Sequence, residues 1–181
     1  AGMLLTEALD LSERARSATP QSREAALRVF KALNERASHL RVVQRNLEAM
    51  ADAQRMVREA AEMLRARPDA AARYAEVEAG IALAATHGQM EELEKAHGLF
   101  LEAQSRLKAL TAEFPANQEY PARLANMDTI LGSNAEARGD YASMLSHFTA
   151  WHDLVLQRYG QDSDGYGHAA FRMGVALQKL E

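Results

Sequence analysis

Residues 124–155, LANMDTILGSNAEARGDYASMLSHFTAWHDLV, decide the fold. Leu124, Met127 and Leu131 recur at three or four residues and so line one side of a helix. Arg138-Gly139-Asp140 then interrupts the pattern, and Gly139 can take the left-handed conformation that helix ends often require. Beyond the break, Leu145, Phe148, Trp151/His152 and Val155 form a second apolar stripe. Two helices joined by so short a turn must lie antiparallel.

Outward from this hairpin the same punctuation repeats. Pro20, Pro68 and Pro115 are followed by a Tyr159-Gly160 break, at intervals of 48, 47 and 45 residues. Gln44-Arg45-Asn46, His87-Gly88-Gln89 and Arg138-Gly139-Asp140 split each interval in two. A fixed period of this size marks a helical array, in which each unit buries its apolar face only against its neighbours. The reading predicts an all-α chain of about eight helices, near 3–17, 21–43, 47–66, 70–86, 90–113, 119–137, 141–159 and 164–180. Along 21–43 the stripe is Leu27, Phe30, Leu33, Ala37 and Leu40. Thr19 before Pro20 is the expected N-cap of the second helix, and Asp162/Ser163 that of the last. Composition agrees, with 36 Ala and 22 Leu against 7 Val and 2 Ile, since Ala and Leu favour helices and β-branched residues strands.

The order Leu131-Gly132, then Gly139-Asp140-Tyr141, then Phe148 resembles the tetratricopeptide (TPR) pattern. Residues 34–49 resemble it with Ala37 at the small position and Arg45 where glycine is usual. Phe171-Arg-Met173-Gly174-Val-Ala-Leu177 resembles it again in the last helix. The small residue lets the following helix approach closely. The resemblance implies a single domain over residues 1–181, stacked as a right-handed α-solenoid with units near 20–67, 68–114 and 115–160. Partial units stand at both ends, so that the chain is either a piece of a longer array or closed by two capping helices. The unit around Gly80 and Gly88 departs most from the pattern. HEAT-like helix pairs are the structural rival, because their period is ~40–47 residues against ~34 for the standard TPR.

Charge and motifs exclude several functions. The net charge is −4; residues 1–75 carry 13 basic and 10 acidic groups (+3), and residues 76–181 carry 8 and 15 (−7). Neither is the dense basic footprint of a nucleic-acid binder. No apolar run reaches the ~18 residues of a membrane span, so a soluble chain, with a cytoplasmic setting favoured, is expected. Without cysteine there is no disulfide framework and no thiolate site for a metal. His147 and His152 stand about 140° apart around a helix and share no face. Nucleotide-binding glycine motifs are missing, and the Gly160–Gly165 segment lacks a calcium-ligand series. No cofactor, metal or catalytic residue is assigned. An enzyme or small-molecule receptor built on His147, Trp151 and His152 is the minor alternative.

The functional signal is a polar stripe. Lys31, Asn34, Ser38 and Arg41 stand at i, i+3, i+7 and i+10 on one side of a helix. Asn126, Thr129, Ser133 and Glu136 repeat that spacing, and His168, Phe171, Val175 and Gln178 would continue it. By the TPR resemblance these positions line a concave groove that holds a peptide or a partner's helix. The chain is therefore expected to be a non-catalytic protein-interaction scaffold. Self-association through the terminal helices, or service as a regulatory repeat region in a larger protein, is the alternative. A plain solvent-facing side of an amphipathic helix would show the same spacing.

Overall fold

The computed structural model describes residues 2–181. It is all-helical, with eight helices and no strand among the described residues. In chain order they are α1 (Gly2–Ala18), α2 (Arg23–Val42), α3 (Asn46–Ala66), α4 (Ala70–Gln89), α5 (Leu93–Glu113), α6 (Glu119–Ala137), α7 (Tyr141–Tyr159) and α8 (Asp164–Leu180).

Most boundaries fall where the sequence signals put them, and the exceptions have local causes. Thr19 closes α1 instead of opening α2: its hydroxyl donates to the Ala15 carbonyl at 2.9 Å. Ser22 is the N-cap of α2, accepting from the Ala25 amide, and Pro20 lies in the turn between the two helices. Ser163 caps α8 as expected, accepting from the Tyr166 amide. Helix α4 runs through the expected His87-Gly88 break and ends at Gln89.

The three hairpin turns share one backbone geometry. The amides of Arg45, Glu92 and Asp140 each donate to a carbonyl five residues back, on Leu40, His87 and Ala135, at 2.8, 3.0 and 2.9 Å. In each turn the preceding residue is left-handed: Gln44 (φ 62°), Glu91 (φ 62°) and Gly139 (φ 74°). The left-handed position of the first turn is thus Gln44, not Arg45. Superposing these residues equates α2/α3, α4/α5 and α6/α7 at offsets of 47 and 48. Ala37, Ala84 and Gly132 then share one position, and all three are buried. Ala53, Phe100 and Phe148 share another, sixteen residues further on, and are likewise buried.

The chain divides into two compact units, one running to Arg106 and one starting at Leu107, with the division inside α5. In the first unit, Val29, Phe30, Leu33, Met56, Ala60 and Met63 pack with Leu9 of α1 and the alanines of α4 into one core. Small residues bring α5 close to α4, since a Cβ on Gly80 or Gly88 would stand 3.7 Å from Ala103 or 3.8 Å from Ala96. Parallel neighbours are tied by charge. Glu13 and Arg16 of α1 pair with Arg55 and Glu59 of α3, and across the antiparallel α2/α3 pair Arg36 grips the buried Asp52 through two hydrogen bonds of 2.8 and 2.6 Å. In the second unit Met144, Phe148, Ala135 and Ala176 form the core, with Trp151, Met173 and Val175 against it. Phe148 fills the place that the missing side chain of Gly132 leaves open. Gly174, offered as an equivalent small contact, has nothing within 4 Å of a Cβ built on it.

Candidate functional site

Helix α2 shows how the open surface arises. With ~100° between successive residues, Phe30, Leu33, Ala37 and Leu40 mark a buried arc. His39 faces α1, where its Nε2 would lie 3.2 Å from a Cβ on Gly2, and Arg23 faces α4, where it pairs with the N-cap carboxylate of Asp69. Between those two neighbours lies an exposed arc holding Glu24, Arg28, Lys31, Glu35, Ser38 and Val42. Lys31 and Ser38 sit within it. Asn34 and Arg41 are half-buried at its edge beside α4. Arg41 is eighteen residues, or five full turns, beyond Arg23 and so points to the same side.

Helix α4 runs alongside α2 in the same direction. Arg23 meets Asp69 at one end, and at the other the Asn46 amide of the α2/α3 turn donates to the Gln89 carbonyl at 3.4 Å. The positions of α4 equivalent to Lys31, Asn34, Ser38 and Arg41 are Glu78, Ile81, Ala85 and Gly88. Only one of these is polar, so no stripe was visible there. The proline interval of 48 misses them by one residue, because the offset of 47 is set by the turns at Arg45 and Glu92.

In the second unit the offset of 95 carries Lys31, Asn34, Ser38 and Arg41 onto Asn126, Thr129, Ser133 and Glu136, the set that sequence spacing selected. Burial follows the same order: Asn126 and Ser133 are exposed, Thr129 and Glu136 half-buried. Glu136 is engaged within the unit, accepting from Arg172 of α8, whose guanidinium also lies 4.8 Å from the Phe148 ring centre. On α8, His168, Phe171 and Gln178 are exposed, Phe171 by 66%. Val175 does not join them, because it packs against the core.

The charges on the open face of α2 are compensated unevenly. Arg28 and Glu24 pair at 2.6 Å. Arg41 has its Nη1 enclosed with no hydrogen-bond partner, and burial pushes its guanidinium below the usual arginine value. The reverse holds for Arg36, which the hydrogen bond with Asp52 pushes up.

Other polar groups are used in packing. His147 lies 3.3 Å from Asp128 of α6, His152 stacks on Tyr166 at 4.7 Å, and Trp151 meets His168 edge-on at 5.5 Å. The three side chains of the suggested small-molecule pocket thus contact different neighbours. A cleft of about 350 Å³ lies among α1, α2 and α3, but its Arg16 is paired with Glu59 and Glu62, and its Arg23 and Arg67 with Asp69. Among the described residues no group of three or more His, Asp or Glu is placed to hold a metal ion. No described helix is long and apolar enough to cross a membrane. No protein-family model matches the chain, and no curated protein is similar to it.

Proposed function

We propose that the chain is a non-catalytic, TPR-like protein-binding module that takes an extended peptide or a partner's helix along the open faces of its first-of-pair helices. The supporting observation is the shared register of α2 and α4. They run side by side with equivalent residues level, so Lys31 and Ser38 of one helix and Ala85 of the other form one continuous strip in the first unit. Such a strip suits a ligand whose own backbone groups need partners, because Asn34, Ser38 and Lys31 offer donors and acceptors along it. The groove of the second unit, around Asn126 and Ser133, belongs to the same proposal.

Selection from a displayed library of random-sequence peptides tests it. Wild-type protein should retain a related set of peptides, and Ser38→Trp, which fills the strip from an exposed position, should lose them while keeping its circular dichroism and melting temperature. Retention of the same peptides by both proteins would remove the groove assignment from the first unit. A second reading, self-association, has its own observation: Met3, Leu4 and Leu11 of α1 are 87%, 69% and 58% exposed. Sedimentation over a range of concentrations separates it from a monomeric adaptor.

A further inference from the structure

Helix α8 carries three of the chain's ten glycines, although glycine is the poorest helix former after proline. Gly165 has a packing reason, since a Cβ there would stand 3.3 Å from Val155. Gly167 and Gly174 have none within the chain: both are exposed, and a Cβ on either would meet nothing within 4 Å. They lie on the side of α8 turned away from its buried Ala169 and Ala176. With ~100° between successive residues, Gly167, Ala170, Phe171, Gly174, Leu177 and Gln178 fall within about 120° of one another. All six are exposed, Phe171 by 66% and Leu177 by 51%, and none is charged.

This face is complementary to itself in one arrangement. Gly167, Phe171, Gly174 and Gln178 follow at i, i+4, i+7 and i+11, the spacing by which two helices interlock their side chains, and glycine alternates with a large residue along it. When α8 is set antiparallel against its own copy about a point between Arg172 and Met173, Phe171 meets Gly174, Gln178 meets Gly167, and Ala170 lies near Leu177. Large stands against small throughout. A parallel pair would instead set Phe171 on Phe171 and glycine on glycine. The same fit exists inside the chain, where Phe148 fills the space beside Gly132. Charge agrees: Asp164 stands in the first turn of α8 and Lys179 in the last, so the antiparallel pair brings each Asp164 to within about 3 Å, along the axis, of the other copy's Lys179. We propose that two copies of the chain associate as a two-fold dimer through α8, packed antiparallel on this uncharged face. Such an isologous contact closes on itself. Two helices about 25 Å long bury less than the ~1,200 Å² at which stable interfaces begin, so a dissociation constant on the order of 10–100 μM is expected. The α2/α4 strip takes no part in it.

Sedimentation equilibrium of the full chain reads the association. Wild type should pass from monomer to dimer as its concentration rises to about 1 mM, and Phe171→Glu, altered at an exposed position, should stay monomeric. The double variant Gly167→Ala/Gly174→Ala should melt higher than wild type in dilute solution, because alanine improves the helix. It should nevertheless dimerise at least about tenfold more weakly, because each new Cβ meets a large side chain of the other copy. Those opposite signs separate packing between copies from packing within one. Leu11→Glu, on the exposed face of α1, should dimerise as wild type does. The chain has no cysteine of its own, so mixed Gly167→Cys and Gln178→Cys chains should cross-link to each other faster than to themselves on mild oxidation. A wild type monomeric at about 1 mM, association that survives Phe171→Glu or is unweakened by the two alanines, association lost in Leu11→Glu, or cross-links that join like positions would each overturn the α8 dimer. The peptide-groove reading, which rests on α2 and α4, would stand in every one of those cases.

Discussion

Replacing Gly132 by alanine should destabilise the second unit, although alanine is the better helix former. A Cβ on Gly132 would stand 2.8, 2.9 and 3.1 Å from Cε2, Cζ and Cδ2 of Phe148, where carbon atoms ordinarily approach to ~3.5–4.0 Å. The ring has little room to retreat. It is 1% exposed, Trp151 lies against it with ring centres 6.2 Å apart, and the Arg172 guanidinium covers it. Overpacking of this kind costs about 1–3 kcal/mol, and the gain in helix propensity offsets roughly 1 kcal/mol. Net destabilisation of about 0–2 kcal/mol follows. Gly174→Ala makes the same change of propensity in α8 but meets nothing within 4 Å, so it should stabilise by up to ~1 kcal/mol. Subtracting one from the other cancels propensity and leaves the steric part, about 1–3 kcal/mol. Urea unfolding followed through Trp151, the one tryptophan of the chain, measures the unit that holds both sites. Adding Phe148→Leu to Gly132→Ala should be clearly less than additive. Equal stabilisation by the two alanines, or additivity in the double variant, would refute the close approach of α6 and α7.

The left-handed positions can be tested in both directions. Gln44→Gly and Glu91→Gly should each stabilise by roughly 0.5–1 kcal/mol, because strain of about 1–2 kcal/mol outweighs glycine's entropy cost, whereas Gly139→Ala should cost about 1 kcal/mol; thermal melts read all three. Asp69 supplies a pH-dependent contribution. Its hydrogen bond with Arg23, followed by one from the Ala72 amide, holds its carboxyl below the usual range. The folded value being the lower, this stabilisation is complete above the unfolded pKa of ~3.9 and disappears as pH falls through the folded value. Asp69→Ala should therefore lower stability near neutral pH, and the gap from wild type should close on acidification below about pH 4. A gap that is constant with pH would show that the ion pair contributes nothing.

Helix number and most helix limits were legible because proline, glycine and apolar periodicity act locally. Ser22, rather than Thr19, caps α2 because Thr19 is drawn back onto Ala15, a choice between two hydroxyl residues three apart that spacing does not decide. Gln44 and Glu91 hold left-handed backbone without being glycine, so the turns they make carry no compositional mark. Their geometry is fixed by the hydrogen bonds from Arg45 and Glu92 to carbonyls five residues back. The same silence hid Ala84 as the small residue of the middle pair and left His87-Gly88 looking like a break. On the candidate surface, i, i+3, i+7, i+10 spacing found Lys31, Asn34, Ser38 and Arg41 together with their equivalents in α6. It could not tell which were buried, since half-burial of Asn34 and Arg41 depends on where α4 lies. Nor could it reveal that Glu136 is spent on Arg172 while Arg41 has no such partner.

The contrast between interior and open face bears on what the repeat is for. The closed side is held nearly constant: the same turn hydrogen bond, a left-handed residue at the same position, and a small residue sixteen before a buried Ala or Phe in all three pairs. The open side varies more, although Ser38 and Ser133 are alike. Lys31, Glu78 and Asn126 occupy one site, and Arg41, Gly88 and Glu136 another. Exposed helix positions contribute little to stability, so this variation is compatible with an unchanged fold, and it gives each pair a different chemical face. On the proposed reading, a peptide that touches both α2 and α4 would be read by the order of their side chains, which a single amphipathic helix cannot do. Within the first unit that order runs from a cation at Lys31 on α2 to an acid at Glu78 on α4. Inverting the charges of Lys31 and Glu78 together should therefore reverse the polarity of the peptides retained, whereas a surface that merely attracts acidic peptides by its overall charge would bind the swapped protein unchanged, because its net charge is the same.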